Sequence, residues 1–185
     1  MRCIFFDRDG IVNTSPGPGY VEKVEDFHIQ PSFLEAAAVA RDHGYGIAIA
    51  TNQRGVARGV MSKQALDAIH DKLIALLQSH GISLLGIYCC THERNTCTCR
   101  KPQPGLLLQA SKEHDIDLSQ SWMIGDNETD IEAGRRAHCR TILVNPSPPA
   151  NTRATYVIST ITELPATLRK LFEQASVADK EQSHE

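Results

Sequence analysis

The chain has 185 residues, of which 41% are hydrophobic and 22% charged, with a formal net charge of -3; that is enough for one domain with a sizeable core and no need of disulfide staples. A pI near 6.2 offers nucleic acid no general attraction, and the longest apolar runs, such as residues 47–50, fall far short of the ~20 needed to cross a bilayer. With acidic residues inside the first ten positions and no long apolar stretch there, neither a membrane protein nor a secreted precursor is expected.

Short apolar runs alternate with helical stretches along the chain. Residues 3–6 predict a buried strand, and the alanine-rich stretch 33–42 a helix ended by Gly44. A strand over 46–50 precedes a long amphipathic helix over 62–80, with Ser62 as its cap and Leu66, Ile69, Leu73 and Leu77 at helical spacing. A third strand, 84–89, runs into a cysteine-rich loop. The next helix, 102–114, is expected to open on Pro102, where no backbone donor is needed. Strands at 122–124 and 141–144 flank a helix over 129–137; a last strand at 156–158 and a helix over 164–172 complete the pattern. Such alternation predicts an α/β fold with a doubly wound, mostly parallel sheet. We expect a single domain over 1–175 and a frayed polar tail over 176–185. Residues 13–30, with Pro16, Gly17, Pro18 and Gly19, read as a flap, since long loops in compact domains are usually functional.

Ligands of open α/β sheets bind beyond the carboxyl ends of the strands, where four polar clusters fall. The first is Asp7-Arg8-Asp9-Gly10. Its two carboxylates at i and i+2 can share a cation such as Mg²⁺, and an aspartate can act as a nucleophile on phosphorus. A polar turn is the plainer reading. The second, Thr51-Asn52-Gln53, offers donors to phosphate oxygens, or is simply a turn. The third, Arg100-Lys101-Pro102, places two cations beside an expected helix start, or marks solvated surface. The fourth runs from Gly125 through Asp126 and Asn127 to Asp130. Asp126 can complete a Mg²⁺ carboxylate set, while Asp130 fits an ordinary helix first turn.

The cysteines are unevenly spread. Cys89, Cys90, Cys97 and Cys99 crowd together, whereas Cys3 and Cys139 lie far off, which points to metal rather than disulfides and to a reducing cytoplasm. Cys90-x-His92 and Cys97-x-Cys99 each set two ligands on one side of an extended chain, suiting a closed, structural Cys₃His zinc site in the loop 89–99. Cys89 can stand in for Cys90, and a redox pair or free buried thiols are the other readings.

Taken together and in order, Asp7-Arg8-Asp9-Gly10, Thr51-Asn52, Lys101 and Gly125-Asp126 through Asp130 resemble the four motifs of the haloacid dehalogenase (HAD) superfamily of phosphotransferases. The resemblance implies a HAD-like, Rossmann-type sheet and phosphate-ester hydrolysis through an aspartyl-phosphate. It implies Asp7 as nucleophile and Mg²⁺ ligand, Asp9 as acid and base with its carbonyl on the metal, Thr51 and Lys101 on the phosphoryl group, Asp126 as Mg²⁺ ligand and Asp130 in support. No insertion is long enough for a separate cap domain.

The string Cys90-Thr91-His92 to Cys97-Thr98-Cys99-Arg100-Lys101-Pro102 is similar to the zinc-containing branch that holds heptose 1,7-bisphosphate and histidinol phosphatases. Gly19-Tyr20-Val21, the segment from Thr51 to Gly59, and Arg100 to Gly105 resemble the heptose enzymes, which implies removal of the C7 phosphate of D-glycero-D-manno-heptose 1,7-bisphosphate. Substrate contacts are then expected from Gly17, Pro18, Gly19, Tyr20, Asn52, Gln53, Arg54, Arg100 and Asn127. Arg54 stands where the family usually has serine, and we expect it to read a second phosphate with Arg100. Histidinol phosphatase, polynucleotide 3′-phosphatase and a non-catalytic phosphosugar-binding module are the competing readings. The expected partner is a small phosphosugar, with no nucleic acid and no membrane, and the expected state a cytoplasmic monomer.

Overall fold

The computed structural model describes residues 1–182. Six strands, β1 (Cys3–Phe6), β2 (Gly46–Asn52), β3 (Gly86–Cys90), β4 (Trp122–Gly125), β5 (Arg140–Val144) and β6 (Tyr156–Ile158), form one sheet in the order β3-β2-β1-β4-β5-β6. Every neighbouring pair is parallel, so the sheet is wholly rather than mostly parallel. Five helices cover it: α1 (Pro31–Asp42), α2 (Lys63–Ser79), α3 (Gly105–His114), α4 (Glu128–Arg136) and α5 (Leu164–Gln182).

Strand pleating sorts the two faces. Ile4, Phe6, Ile47 and Ile49 pack with α1, α2 and α5. Cys3, Phe5, Ala48 and Ala50 face the other way, beneath α3. On that same side α4 lies close to the sheet because Gly134 carries no side chain; a Cβ there would stand 2.7 Å from Met123 and Thr141 side chains. Among the described residues no domain is inserted over the strand ends.

Several boundaries differ from the sequence reading for identifiable reasons. Pro31 opens α1, its fixed φ already helical. Ser62 does cap α2, accepting from Ala65 N at 3.0 Å. Pro102 does not open α3. Lys101 is tied by backbone and side chain to the strand ends, so residues 101–104 turn and the helix begins at Gly105. Arg100 and Lys101 are therefore not at a helix N-terminus. β2 extends to Asn52 because β3 pairs with it as far as Asn52↔Cys90. Helix α5 continues ten residues past the expected end at 172, since no proline or glycine stops it before Gln182; residues 183–185 of the expected tail lie outside the described residues.

The strand order reverses at β1, which is flanked by β2 and β4. That switch point opens a crevice at the carboxyl ends of β1, β2 and β4. The flap leaves from this edge and is pinned at its base. Thr14 N donates to His28 O at 3.0 Å, and Gln30 Nε2 donates to Gly10 O at 2.9 Å.

Behind the crevice, α2 places His70 near the wholly buried Arg8. Burial, and then the Arg8 charge, lowers its pKa from 6.5 to about 4. A histidine depressed in the fold contributes stability above its unfolded value and loses it as pH falls towards the folded one. Between pH 7 and 5 the protein should lose about 2 kcal/mol through this group. Urea unfolding of His70→Gln should show that loss removed.

Candidate active site

The first carboxylate, Asp7, is fixed at the end of β1 by its backbone N–H, which donates to Ile124 O at 2.8 Å. Gly10 turns the chain directly afterwards with φ +92, and a Cβ at Gly10 would collide with the Asp126 carboxylate. Only glycine allows both the turn and the approach of the two loops.

Lys101 reaches the crevice from the far side and is 3% exposed. Its Nζ lies 2.7 Å from Asp7 Oδ1 and 2.6 Å from Asp130 Oδ1, and donates to Ala50 O at 2.7 Å. All three ammonium protons are thus engaged. Its backbone is held too, because Lys101 N donates to Asn52 Oδ1 and Asn52 Nδ2 donates to Lys101 O, both at 3.1 Å. The second oxygen of Asp130 accepts from Asn127 N at 3.1 Å, forming the capping box of α4. Asp130 is therefore consumed in fixing Lys101 and the α4 start, which the sequence could not distinguish from a plain helix cap.

Asp7, Asp126 and Asp130 bring carboxylate oxygens within 4.8 Å of one another. Burial, opposed by Lys101, pushes the Asp7 carboxyl up to about 7; burial and then the Asp7 charge push Asp126 up to about 6. One lysine against three carboxylates leaves excess negative charge, which a hard divalent cation on Asp7 and Asp126 would offset. The donor set is all oxygen and fits Mg²⁺.

The second carboxylate of the first motif is gripped differently. Asp9 accepts from Arg8 Nε at 3.1 Å and Nη2 at 3.0 Å, from Asn13 Nδ2 at 3.0 Å and from Gln53 Nε2 at 2.8 Å. Gln53 Nε2 also donates to Thr51 Oγ1 at 2.9 Å. Arg8, Asn13 and Gln53 thus orient the Asp9 carboxylate, and Gln53 also holds the threonine beside it. Gln53 was expected at the substrate; the roles of Arg8 and Asn13 gave no sequence signal apart from lying within or just after the motif.

Asp7, Asp9, Thr51, Asn52, Lys101, Asp126, Asn127, Thr129 and Asp130 surround a hollow of 190 Å³. It adjoins a larger one of 680 Å³ that includes Arg100. Gly17, Pro18, Gly19, Tyr20, Gln53 and Arg54 line neither. Arg54 is instead paired with Glu93 of the cysteine loop at 3.1 Å and lies beside the flap residue Tyr20, whose ring lies against Gly55. Arg54 straps flap to loop.

In that loop Cys90 Sγ lies 3.6 Å from His92 Nδ1 and 3.6 Å from Cys97 Sγ; Cys99 Sγ lies 3.4 Å from each. These spacings exceed a disulfide bond, about 2 Å, and approach the tetrahedral edges of about 3.5–3.8 Å set by Zn–S and Zn–N bond lengths. The set fits zinc. Cys90 belongs to it and Cys89 does not, because alternation along β3 turns Cys90 towards the α3 side and Cys89 away from it.

Replacing Lys101 by methionine would leave the Asp7 and Asp130 carboxylates without their cation. The expected result is a loss of about 3–5 kcal/mol of stability and of roughly 10²–10³ in turnover, read by thermal melting and phosphate release.

A buried aspartate aimed into a carboxylate crevice at the switch point, with a lysine behind it and a second aspartate beside it, defines a hydrolase of the phosphoryl-transfer class. Residues 98–164 match a family model described as HAD-hydrolase-like. A D-glycero-beta-D-manno-heptose-1,7-bisphosphate 7-phosphatase of Photorhabdus laumondii is 35% identical, covering 91% of this chain and 96% of that protein. One of Helicobacter pylori is 39% identical, covering 84% and 90%. The crystal structure of D,D-heptose 1,7-bisphosphate phosphatase from B. bronchiseptica, complexed with magnesium and phosphate, superposes with TM-score 0.82 at 30% identity, covering 92% of this chain and 99% of that one. The chain belongs to the heptose 1,7-bisphosphate phosphatase family of HAD hydrolases. Among the described residues no helix is long and apolar enough to cross a membrane.

Proposed function

We propose that this protein is a Mg²⁺-dependent phosphatase that removes the C7 phosphate of a D-glycero-D-manno-heptose 1,7-bisphosphate through an aspartyl-phosphate. The observation that carries the reading is the convergence of Asp7, Asp126 and Lys101 on one small hollow with Asp9 on its rim. The relatives' names supply the sugar.

In this reading Asp7 Oδ attacks phosphorus, and the bond to the leaving sugar oxygen breaks while Asp9 gives that oxygen a proton. Asp9 then takes a proton from water, which cleaves the acyl phosphate and regenerates Asp7. Mg²⁺, held by Asp7, Asp126 and the Asp9 carbonyl, would supply charge neutralisation on the phosphoryl oxygens. Lys101 favours the ionised form of Asp7 against its burial and aims it, and Thr51 offers its hydroxyl to the transferring group. Asp130 acts through Lys101. Zinc on Cys90, His92, Cys97 and Cys99 would fix the loop that carries Arg100 into Lys101, and Arg100 would contact the sugar's other phosphate. Among the described residues no cap domain walls the crevice; the substrate in this reading is a small phosphosugar and the enzyme a cytoplasmic monomer.

The test is phosphate release with Mg²⁺ from heptose 1,7-bisphosphate, histidinol phosphate and a 3′-phosphorylated oligonucleotide. Preference for the bisphosphate is expected. Preference for histidinol phosphate would move the protein to that branch, and binding without release would make it a phosphosugar-binding module.

A further inference from the structure

The catalytic hollow and its larger neighbour share Asn52, Lys101, Asn127 and Thr129. Beyond them, the 680 Å³ hollow is lined by Arg94, Asn95, Cys97, Arg100, Pro102 and Gln103, and among the described residues no carboxylate lines it. The neighbouring arginines are committed elsewhere: Arg8 to Asp9, and Arg54 and Arg58 to Glu93 at 3.1 and 3.4 Å. Among the described residues the guanidinium groups of Arg94 and Arg100 make no hydrogen bond or ion pair, and Arg100 Nη1 is buried without a partner.

The loop backbone is ordered around Arg94, whose side chain is exposed. Glu93 folds its carboxylate back onto Arg94 N at 2.9 Å, and its carbonyl accepts from Thr96 Oγ1 at 2.8 Å. Asn95 then turns the chain with φ 62 towards Cys97. Adjacent residues of opposite charge are thereby separated, Glu93 pairing with Arg54 and Arg58 and Arg94 lining the hollow. Two arginines without side-chain partners, both lining a hollow that no carboxylate lines, suit a phosphate dianion, which a guanidinium can grip through two N–H groups.

We infer that Arg94, acting with Arg100, determines specificity for a second phosphate on the substrate, and that Arg54 does not. The inference rests on the preceding reading of the small hollow as the site of a phosphate monoester. A bisphosphate places one phosphate on Asp7 and the other between the arginines; a monophosphate leaves both cations unmatched.

The experiment compares kcat/KM for heptose 1,7-bisphosphate and heptose 7-phosphate. In parallel, fructose 1,6-bisphosphate and fructose 6-phosphate are measured as competitive inhibitors of p-nitrophenyl phosphate hydrolysis. Arg94→Ala is expected to lower the bisphosphate-over-monophosphate preference about 10-fold or more in both assays, and Arg94→Lys by less, because the charge stays and the fork is lost. Arg169→Ala, which removes a charge paired with Glu35 across α1 and α5, should leave the preference at the parental value. An unchanged preference in Arg94→Ala, an equal fall in Arg169→Ala, or a parent with no bisphosphate preference in either assay would overturn the inference. If heptose bisphosphate is not hydrolysed but fructose bisphosphate is still preferred in an Arg94-dependent way, the heptose reading falls and the role of Arg94 stands.

Discussion

Asp7→Asn is expected to abolish phosphate release, by about 10⁴-fold or more, while leaving a folded protein that is harder to unfold at pH 8 in magnesium-free buffer. The first effect follows because asparagine keeps the shape of the side chain but offers phosphorus no anionic oxygen. The second follows from the crowding of the site. Lys101 lies 2.7 and 2.6 Å from Asp7 and Asp130, so without the Asp7 charge it still has a partner, while Asp126 and Asp130 lose a like-charged neighbour. Burial pushes the folded Asp7 carboxyl from 3.8 up to about 7. A group raised in the fold stabilises while protonated, and that stability is lost as pH climbs through the folded value. The variant's advantage in melting temperature should therefore be absent near pH 4 and full above pH 7. Mg²⁺ should narrow it by relieving the parent. Acid-quenched parent enzyme should carry a phosphoryl group on the peptide containing Asp7, and turnover surviving in Asp7→Asn would place the nucleophile elsewhere.

Cys99→Ser should cost both stability and activity. Zinc content is expected to fall from one equivalent per chain, and the melting temperature by roughly 10 °C, as about 3–5 kcal/mol of loop organisation is lost in a domain of this size. Cys90 is held in β3, but the described segment from 91 to 99 has no regular structure of its own. Without the metal it keeps the Glu93 pairs to Arg54 and Arg58 and little else. Arg100 and Lys101 follow Cys99 directly in the chain, so turnover should drop about 100-fold. The loss should be partial, because the paired hydrogen bonds between Lys101 and Asn52 still anchor the lysine. Protein purified without chelator that holds far less than one zinc, or a Cys99→Ser variant that melts with the parent, would refute the metal assignment.

The sequence by itself determined the chemistry-bearing ends of the strands. Asp7 and Asp126 each follow an apolar run, and a parallel sheet must bring such ends to one edge, so their common edge was legible without coordinates, while the pairing of β1 with β4 that makes them meet is tertiary. The gathering of Cys90, His92, Cys97 and Cys99 was legible for a similar reason, since i, i+2 pairs on either side of a short loop can close on one point. What only the tertiary structure decided are contacts between residues far apart in the chain. The three-way engagement of Lys101 spans 94 residues to Asp7, and the grip of Gln53 on Asp9 spans 44. Cys90 was separated from Cys89 by the pleat of β3, whose register is set by pairing with β2. Arg54 and Arg94 carry the same charge and read alike as letters. One is claimed by Glu93 and the other left facing a hollow, because an ion pair is a property of which side chains the fold places within reach, and local pattern carries no record of that distance.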